Sequence, residues 1–326
     1  MNFERYIHLE RLGNDEVRGI EFGECWIFPK LDGSNGSVWW QHDRVCTGSR
    51  NRKLPEALSN QELSEVPADV LPNDNQGFAR YIGENRPRFV EFFKKYPNRR
   101  LYGEWLVPHA FKGYRESAWH RFYVFDVASP NFQIPGVGVA EAESEHFIPY
   151  SVYEESLKEF DIDYVVPQAK IYNPTYDALL HEVKQNTFLC EDGKGPGEGI
   201  VIKNYGFYNQ YGRQVWAKIV SNEFKEEHTK FHGVAEKSMG KSTEEAIVDL
   251  FCTAALIEKE YAKIVNEMSG WNSRYIPRLF HTVFHCIVTE EMWEILRKLG
   301  NKVTVNFGML QALIIIKIKS VKKELF

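Results

Sequence analysis

Features that would mark a secreted, disulfide-bonded or membrane protein are missing from this sequence. Its five cysteines are scattered and include no C-x-x-C pair, which is typical of reduced thiols and argues against a disulfide framework or a zinc ribbon. Residues 2–11 mix charges without an apolar core, so we expect no signal peptide. The apolar run "MLQALIIIKIK" at 309–319 is too short to cross a bilayer and carries lysines. We therefore expect a soluble, cytoplasmic protein with no membrane partner.

The sequence also lacks an excess of positive charge, since its formal net charge is −5 at pH 7. A generally basic surface for nucleic acid is thereby excluded, and any such contact must be a local patch. The 326 residues are 43% hydrophobic and 14% aromatic, which is ample for a folded core and suits two domains. No internal repeat is visible, and no feature indicates an oligomer.

The pattern of residues changes along the chain. Up to about residue 220, short β-branched and aromatic runs bounded by Gly, Pro, Asn and Asp predict strands, with helical patches at 84–96 and 149–160. From Ser242, "STEE" is a helix start signal, followed by an apolar face over several turns. We therefore predict an α+β protein, with antiparallel sheets and flanking helices in residues 1–235 and a small all-helical domain in residues 236–326.

The stretch "IFPKLDGSNGSVWW", Ile27 to Trp40, has the pattern of a buried strand, a polar turn and a hairpin partner. Lys30 at the start of the turn is either a solvated turn residue or a nucleophile at the edge of a pocket. We interpret Asp32 as a turn-former that bonds its own backbone, since aspartate commonly does so.

Single charged residues also interrupt several apolar strands. A lysine that attacks a nucleotide phosphate requires carboxylates for a metal and a ribose, cations for phosphate oxygens, and an aromatic face for the base. An isolated charge in a strand ordinarily faces solvent. Several strands with one charge each favour a shared cleft instead. The candidates for these roles are Lys30, Arg50, Glu104, Phe125, Asp126, Glu198, Lys203 and Lys218.

Taken in order, these residues resemble the motifs of the covalent nucleotidyltransferase superfamily, which contains DNA ligases, RNA ligases and mRNA capping guanylyltransferases. The matching elements are "KLDG" at 30–33, "YGEW" at 102–105, "FDV" at 125–127, "EGIVIK" at 198–203 and Lys218 in an apolar strand. The sequence is most similar to the nick-sealing RNA ligases, including the kinetoplastid RNA-editing ligases, because Asn35 follows the lysine by five residues. A helical C-terminal domain also fits this group, and the resemblance implies its ATP-grasp-like ligase fold.

The resemblance implies a role for each residue of the nucleotide site. Lys30 would attack the α-phosphate of ATP and carry AMP as a phosphoramidate. Glu104 would hold the ribose hydroxyl, and Phe125 would stack on adenine. Arg50 and Asn35 would contact the nucleotide phosphate or the incoming RNA end.

The last two motifs carry the implied metal and phosphate contacts. Glu198 would place Mg²⁺, with Mn²⁺ as a substitute, and Lys203 and Lys218 would neutralise the α-phosphate. The catalytic set is thus Lys30, Glu198 and Lys218. One residue departs from the pattern: many relatives have a lysine two positions before Lys218, where this chain has Trp216.

Several alternatives stay open. The implied function is an ATP-dependent RNA ligase that joins a 3′-hydroxyl to a 5′-phosphate, and its rivals are a DNA ligase, a GTP-dependent capping guanylyltransferase or an inactive nucleotide- or RNA-binding module. The sequence does not separate nicked duplexes from single-stranded ends, or repair from editing, and it is compatible with a phage or viral source. Arg274, Arg278, Arg297 and Lys298 form either a solvated face or a grip for RNA phosphates.

Overall fold

The computed structural model describes most of the chain as two compact units, Met1–Asn222 and Glu223–Phe326. The predicted domain boundary between residues 235 and 236 lies outside the described residues and stays a prediction, and Arg297 and Lys298 also lie outside them. The described residues are 1–55, 74–108, 111–130, 132, 146–220, 242–268, 270–292, 295 and 304–326.

The first unit contains two five-stranded sheets. In chain order, the strands are β1 (Glu10–Arg11), β2 (Glu24–Lys30), β3 (Ser34–Gln41), β4 (Arg44–Ser49), β5 (Arg100–Trp105), β6 (Phe122–Ser129), β7 (His146–Phe147), β8 (Ala169–Tyr172), β9 (Gly199–Lys203) and β10 (Ala217–Val220). Sheet A has the order β1-β10-β9-β2-β8, and sheet B has the order β4-β3-β5-β6-β7. Every pairing between these strands is antiparallel except that of β1 with β10.

Alternation along the strands of sheet A divides the apolar residues between two cores. Phe28 and Val201 project from one face into the larger core, which also contains residues of sheet B. Ile27 and Ile200 project from the opposite face into a smaller core. Sheet A is therefore covered on both sides, and its inner face is the one that meets sheet B.

Helices cover the sheets and make up the second unit. In the first unit they are α1 (Phe78–Glu84), α2 (Arg86–Lys95), α3 (Tyr150–Glu159) and α4 (Tyr176–Gln185). In the second unit they are α5 (Thr243–Phe251), α6 (Ala254–Met268), α7 (Ile276–Glu290) and α8 (Phe307–Val321). The α+β prediction and the helical C-terminal unit are confirmed. Among the described residues, no helix is both long and apolar enough to cross a bilayer.

The predicted start of the C-terminal helices is confirmed in detail. The Ser242 side chain accepts a hydrogen bond from the Glu245 backbone, and the Glu245 side chain accepts one from the Ser242 backbone, which together form a capping box. Ile247, Ile257, Leu279 and Ile314 bury their side chains in a core belonging to this unit. The second unit therefore has the internal core expected of a helical domain.

The hairpin predicted around "KLDG" is wrong, because β2 and β3 belong to different sheets. β2 pairs with β8 and β9, whereas β3 pairs with β4 and β5. Residues 31–33 therefore cross from sheet A to sheet B. At Gly33 an added Cβ would lie 2.5 Å from the Trp105 carbonyl oxygen, so the chain can pass sheet B this closely only with glycine.

Candidate active site

Lys30 is the last residue of β2, at the rim of the inner face of sheet A. The register of β2 with β9 places it opposite Gly199, directly beside Glu198. Its Nζ lies 2.5 Å from Glu198 Oε2, with 18% of the Lys30 side chain and 7% of the Glu198 side chain exposed. At Gly199 an added Cβ would lie 2.1 Å from the Ile219 carbonyl oxygen. The glycine therefore lets β9 approach β10 closely at the point where Glu198 meets the lysine.

The strand register brings the predicted lysines to one face of sheet A. Cross-strand partners project from the same side of a sheet. Phe28 and Lys218 both pair with Val201, while Lys30 pairs with the residue two positions before it in β9. Lys203 lies two positions after Val201. Lys30, Lys203 and Lys218 therefore share the inner face of sheet A.

Sheet B supplies a carboxylate and an amide opposite this face. Asn35 in β3 and Glu104 in β5 are direct cross-strand partners, so their side chains project together. Glu104 Oε1 accepts a hydrogen bond of 2.9 Å from the Gly33 backbone N–H. Burial raises the pKa of Glu104 to about 7, the charge of Lys30 opposes that rise, and Glu198 adds to it. Glu104, Lys30 and Glu198 therefore form one electrostatic cluster.

Arg50 lies at the edge of sheet B near Asn35. The preceding residue, Ser49, ends β4 opposite Gly36, which brings Arg50 to the start of β3. Its exposed guanidinium Nη2 is 3.4 Å from His8 Nδ1. Among the predicted residues, Arg50 thus lies in a position open to solvent rather than in the buried part of the cleft.

Phe125 is the extra residue of a β-bulge. Tyr102 of β5 pairs with Asp126, and Gly103 pairs with Val124, which leaves Phe125 between the two pairs. A bulge redirects side chains locally. As a result, the Phe125 ring lies 5.9 Å from Lys203 Nζ, while the adjacent Asp126 carboxylate also contacts that amine. Phe125 is half-buried and packs on the Tyr6 ring, with centroids 4.8 Å apart.

Lys203 lies in a closed network around Asp126. Its Nζ donates to Asp126 Oδ1 at 2.7 Å and to the Phe125 carbonyl at 2.5 Å. Tyr6 Oη and Trp216 Nε1 donate to Asp126 Oδ2 at 2.5 and 3.1 Å. Burial raises the pKa of Asp126 and lowers the pKa of Lys203. The predicted contact between Lys203 and a phosphate stays a prediction, since its amine is engaged with Asp126 and Phe125.

Part of what surrounds the site carries no signal in the sequence. Tyr6 lies in a segment that carried no motif, and nothing in the sequence links it to Asp126. Trp216 was noted only as a departure, whereas the structure makes it a hydrogen-bond donor to that acid. Asp32 lies in the turn after Lys30, and its carboxylate accepts a hydrogen bond from the Phe111 backbone N–H at 2.6 Å.

The carboxylates of the site suit a metal ion whose remaining ligands come from a bound substrate. Among the described residues, no three His, Cys, Asp or Glu side chains converge as a metal cage. The carboxylates of Glu198 and Glu104 lie close enough to Lys30 to act on it electrostatically. Mg²⁺ commonly binds through one or two carboxylates together with substrate phosphates, and these two residues fit that requirement.

Lysines on one antiparallel-rich sheet and a half-buried glutamate on the other form the arrangement expected from the resemblance to the nucleotidyltransferase class. Residues 23–220 match the family model described as RNA ligase, which is more than half of the chain. The chain therefore belongs to the RNA ligase family, and the predicted resemblance is confirmed. No curated protein matches the sequence.

Solved structures of the Naegleria gruberi RNA ligase are similar to this chain. A lysine-to-methionine mutant with AMP and Mn has 18% sequence identity and a TM-score of 0.45, over 68% of this chain and 57% of that one. The same enzyme with pyrophosphate has 18% identity and a TM-score of 0.42, over 70% and 58%. A lysine-to-alanine mutant with ATP and Mn has 18% identity and a TM-score of 0.43, over 68% and 58%. The chain thus spans less than two thirds of these relatives.

Proposed function

We propose that this chain is an ATP-dependent RNA ligase that joins a 3′-hydroxyl to a 5′-phosphate through a covalent lysyl-AMP. The observation that carries the proposal is the placement of Lys30. Its amine lies at an accessible strand end, 2.5 Å from the Glu198 carboxylate, on the sheet face that also bears Lys218. The family match over residues 23–220 supports the same chemistry.

In the first step, Lys30 Nζ attacks the α-phosphorus of ATP. A nitrogen–phosphorus bond forms, the bond from the α-phosphorus to the bridging oxygen breaks, and pyrophosphate leaves. The amine must give up a proton, and Glu198 Oε2 at 2.5 Å is in position to receive it. Lys218 lies on the same face of the sheet and would stabilise the negative charge on the α-phosphate oxygens.

The remaining side chains orient the nucleotide. Glu104 would accept hydrogen bonds from the ribose hydroxyls, with Asn35 beside it in the cross-strand pair. Phe125 would stack on adenine, since its ring is half-buried and one side of it packs against Tyr6. Arg50, exposed at the edge of sheet B, would contact the nucleotide phosphate or the incoming RNA end.

Glu198 would hold Mg²⁺, and Mn²⁺ could substitute for it, as in the Naegleria gruberi structures that contain Mn. When bound, the ion would neutralise charge on the phosphate oxygens. Glu198 is suited to this role because its carboxylate lies beside the nucleophile and is held there by the backbone of β9. The contact between the Glu198 carboxylate and the Lys30 amine also orients the lysine for attack.

The later steps transfer AMP and then release it. A 5′-phosphate oxygen of the RNA attacks the AMP phosphorus, and the nitrogen–phosphorus bond to Lys30 breaks while the amine regains a proton. The RNA 3′-hydroxyl then attacks the activated 5′-phosphate, loses its proton and displaces AMP. RNA rather than DNA would be selected through 2′-hydroxyl contacts and A-form shape.

None of the five cysteines forms a disulfide, which supports a reducing compartment such as the cytoplasm.

The test is covalent labelling with Mg²⁺ and ATP carrying a label on the α-phosphate. We expect acid-labile label on the wild-type protein and none on Lys30→Ala. Lys170→Ala is a matched control, because this exposed lysine pairs with Glu24 at 2.8 Å on the same sheet. Label on this control at the wild-type level would assign the loss to Lys30 itself.

The rival functions give different results in the same assay. Label from GTP instead of ATP would support a capping guanylyltransferase. Label from ATP with sealing of nicked DNA, but not of nicked RNA, would support a DNA ligase. An absence of label from either nucleotide would overturn the proposed mechanism and favour a nucleotide- or RNA-binding module.

A further inference from the structure

A short segment outside the predicted motifs lies against the nucleophile. Residues 111–115 contact the turn that follows Lys30 on one side and the chain leading to Glu198 on the other. None of the sequence motifs includes a residue of this segment. Its contacts therefore connect the chain after Lys30 with the chain before Glu198, in addition to the direct contact between the two side chains.

On the nucleophile side, two hydrogen bonds fix the turn. The Asp32 backbone N–H donates to the Tyr114 hydroxyl oxygen at 2.8 Å. The Asp32 carboxylate accepts from the Phe111 backbone N–H at 2.6 Å. Asp32 is only two residues after Lys30, so these bonds restrict the backbone that aims the lysine amine.

On the other side, the segment is bonded to the chain that leads to Glu198. The Gly113 carbonyl accepts from the Glu191 N–H at 2.8 Å, and the Arg115 N–H donates to the Leu189 carbonyl at 2.9 Å. The same chain is then tied to the start of β9, because Asn186 Nδ2 donates to the Gly199 carbonyl at 2.6 Å. The segment therefore also helps to fix the position of Glu198.

Tyr114 is held rigidly between these contacts. Its side chain is 3% exposed, and its ring packs edge-on against Phe111 and Trp119, with centroid distances of 4.7 and 5.4 Å. Burial raises the pKa of Tyr114 well above its ordinary value, and the nearby Glu198 carboxylate adds to that rise. The hydroxyl therefore stays protonated, as a neutral acceptor for the Asp32 N–H.

We propose that Tyr114 is a positioning residue that sets the geometry of Lys30 for attack on the nucleotide. The inference rests on the proposed function and deepens it. Tyr114 acts through the Asp32 backbone and does not touch the reacting atoms. Because the lysine is the nucleophile only when lysyl-AMP forms, the loss of the hydroxyl affects that step and not the final joining of an RNA already adenylylated at its 5′ end.

The test compares Tyr114→Phe with Tyr123→Phe. Both tyrosines are buried and bonded through the hydroxyl to backbone, but the Tyr123 hydroxyl donates to the Ala118 carbonyl at 3.2 Å, whereas the Tyr114 hydroxyl bonds to the Lys30 turn. Single-turnover formation of lysyl-AMP is measured across ATP concentrations. For Tyr114→Phe we expect the maximal rate to fall about 5- to 20-fold with little change in the half-saturating ATP concentration. Tyr123→Phe should label at the wild-type rate.

A second measurement separates positioning from general damage to the fold. Both variants are given nicked RNA that already carries AMP at its 5′ end, and sealing is followed without ATP. Tyr114→Phe should seal this substrate at the wild-type rate. Equal slowing of labelling and sealing, or a wild-type labelling rate in Tyr114→Phe, would overturn the inference. Failure of the wild-type protein to label would instead reject the proposed function.

Substitution of Asp32 distinguishes a turn contact from a catalytic carboxylate. Asp32→Asn keeps an oxygen that can accept from the Phe111 N–H, whereas Asp32→Ala removes it. If the residue works through the turn, Asp32→Asn should retain most of the labelling rate and Asp32→Ala should lose more than Tyr114→Phe does. Equal loss in both Asp32 variants would contradict the positioning route.

Discussion

Lys30 and Lys203 end neighbouring strands of the same sheet, and each bonds to a carboxylate, yet their surroundings differ. The Lys30 side chain is 18% exposed and contacts Glu198 at 2.5 Å. The Lys203 side chain is 2% exposed and contacts a wholly buried Asp126 at 2.7 Å. The Lys30–Glu198 pair is called the open pair, since part of the lysine side chain reaches solvent. The Lys203–Asp126 pair is called the closed pair, because separating its members would leave a charge buried without its partner.

The largest expected effect on stability comes from breaking the buried pair. Lys203→Met should lower the free energy of unfolding by about 3–5 kcal/mol, because Asp126 would then be buried without its cation. Urea unfolding measures this loss. Lys94→Met, which breaks an exposed pair with Glu91, should change stability by less than about 1 kcal/mol. Equal losses in the two variants would contradict the distinction between closed and open pairs.

A smaller effect on stability is expected from Glu104, the carboxylic acid beside the Lys30–Glu198 pair. The pKa of Glu104 is raised from 4.5 to about 7, so the folded state holds this proton more tightly than the unfolded state. This contribution is fully present below pH 4.5 and is lost as the pH rises through 7. We expect wild-type stability relative to Glu104→Gln to fall by up to about 3 kcal/mol over this range. A flat difference between the two proteins would contradict the raised pKa.

A third substitution tests the hydrogen bond from Trp216 to Asp126, the acid of the closed pair. Trp216→Phe keeps an aromatic ring but removes the indole N–H that donates to Asp126. We expect a loss of about 1–2 kcal/mol in unfolding free energy, because the buried Asp126 carboxylate loses one of its hydrogen-bond donors and the smaller ring fills less of the core. Trp26→Phe is the control, since its indole N–H bonds to Glu24 in an exposed position. A loss no larger than that of the control would remove Trp216 from the network.

The smallest stability effect is expected at the nucleophile itself. Lys30→Met should lower the free energy of unfolding by about 1 kcal/mol, well below the loss in Lys203→Met, because 18% of the Lys30 side chain reaches solvent although Glu198 is buried. The same substitution abolishes labelling. Thermal unfolding beside the labelling assay checks both statements. A loss as large as that of Lys203→Met would show that the two pairs are energetically alike.

The sequence predicted the proximity of Lys30, Glu104 and Glu198 better than the network around Asp126, and the reason is physical. Lys30, Glu104 and Glu198 lie in short motifs, and strand register then brings the last residue of β2 beside the residue before β9. The contact between Tyr6 and Asp126 spans 120 positions, and no local pattern encodes it. The turn after Lys30 was predicted as a hairpin because turn residues indicate a change of direction but not the sheet that the next strand joins.

The parallel pairing of β1 with β10 has a consequence for how the chain is made. Glu10 faces Ala217, and Arg11 faces Lys218, so the earliest strand of sheet A has its only strand partner among the described residues near the end of the first unit. At a synthesis rate of about 5–20 residues per second, roughly 10–40 seconds separate the two segments. During that interval β1 stays unpaired. The cleft therefore closes at the end of synthesis of the first unit, and shorter nascent chains cannot carry a completed site.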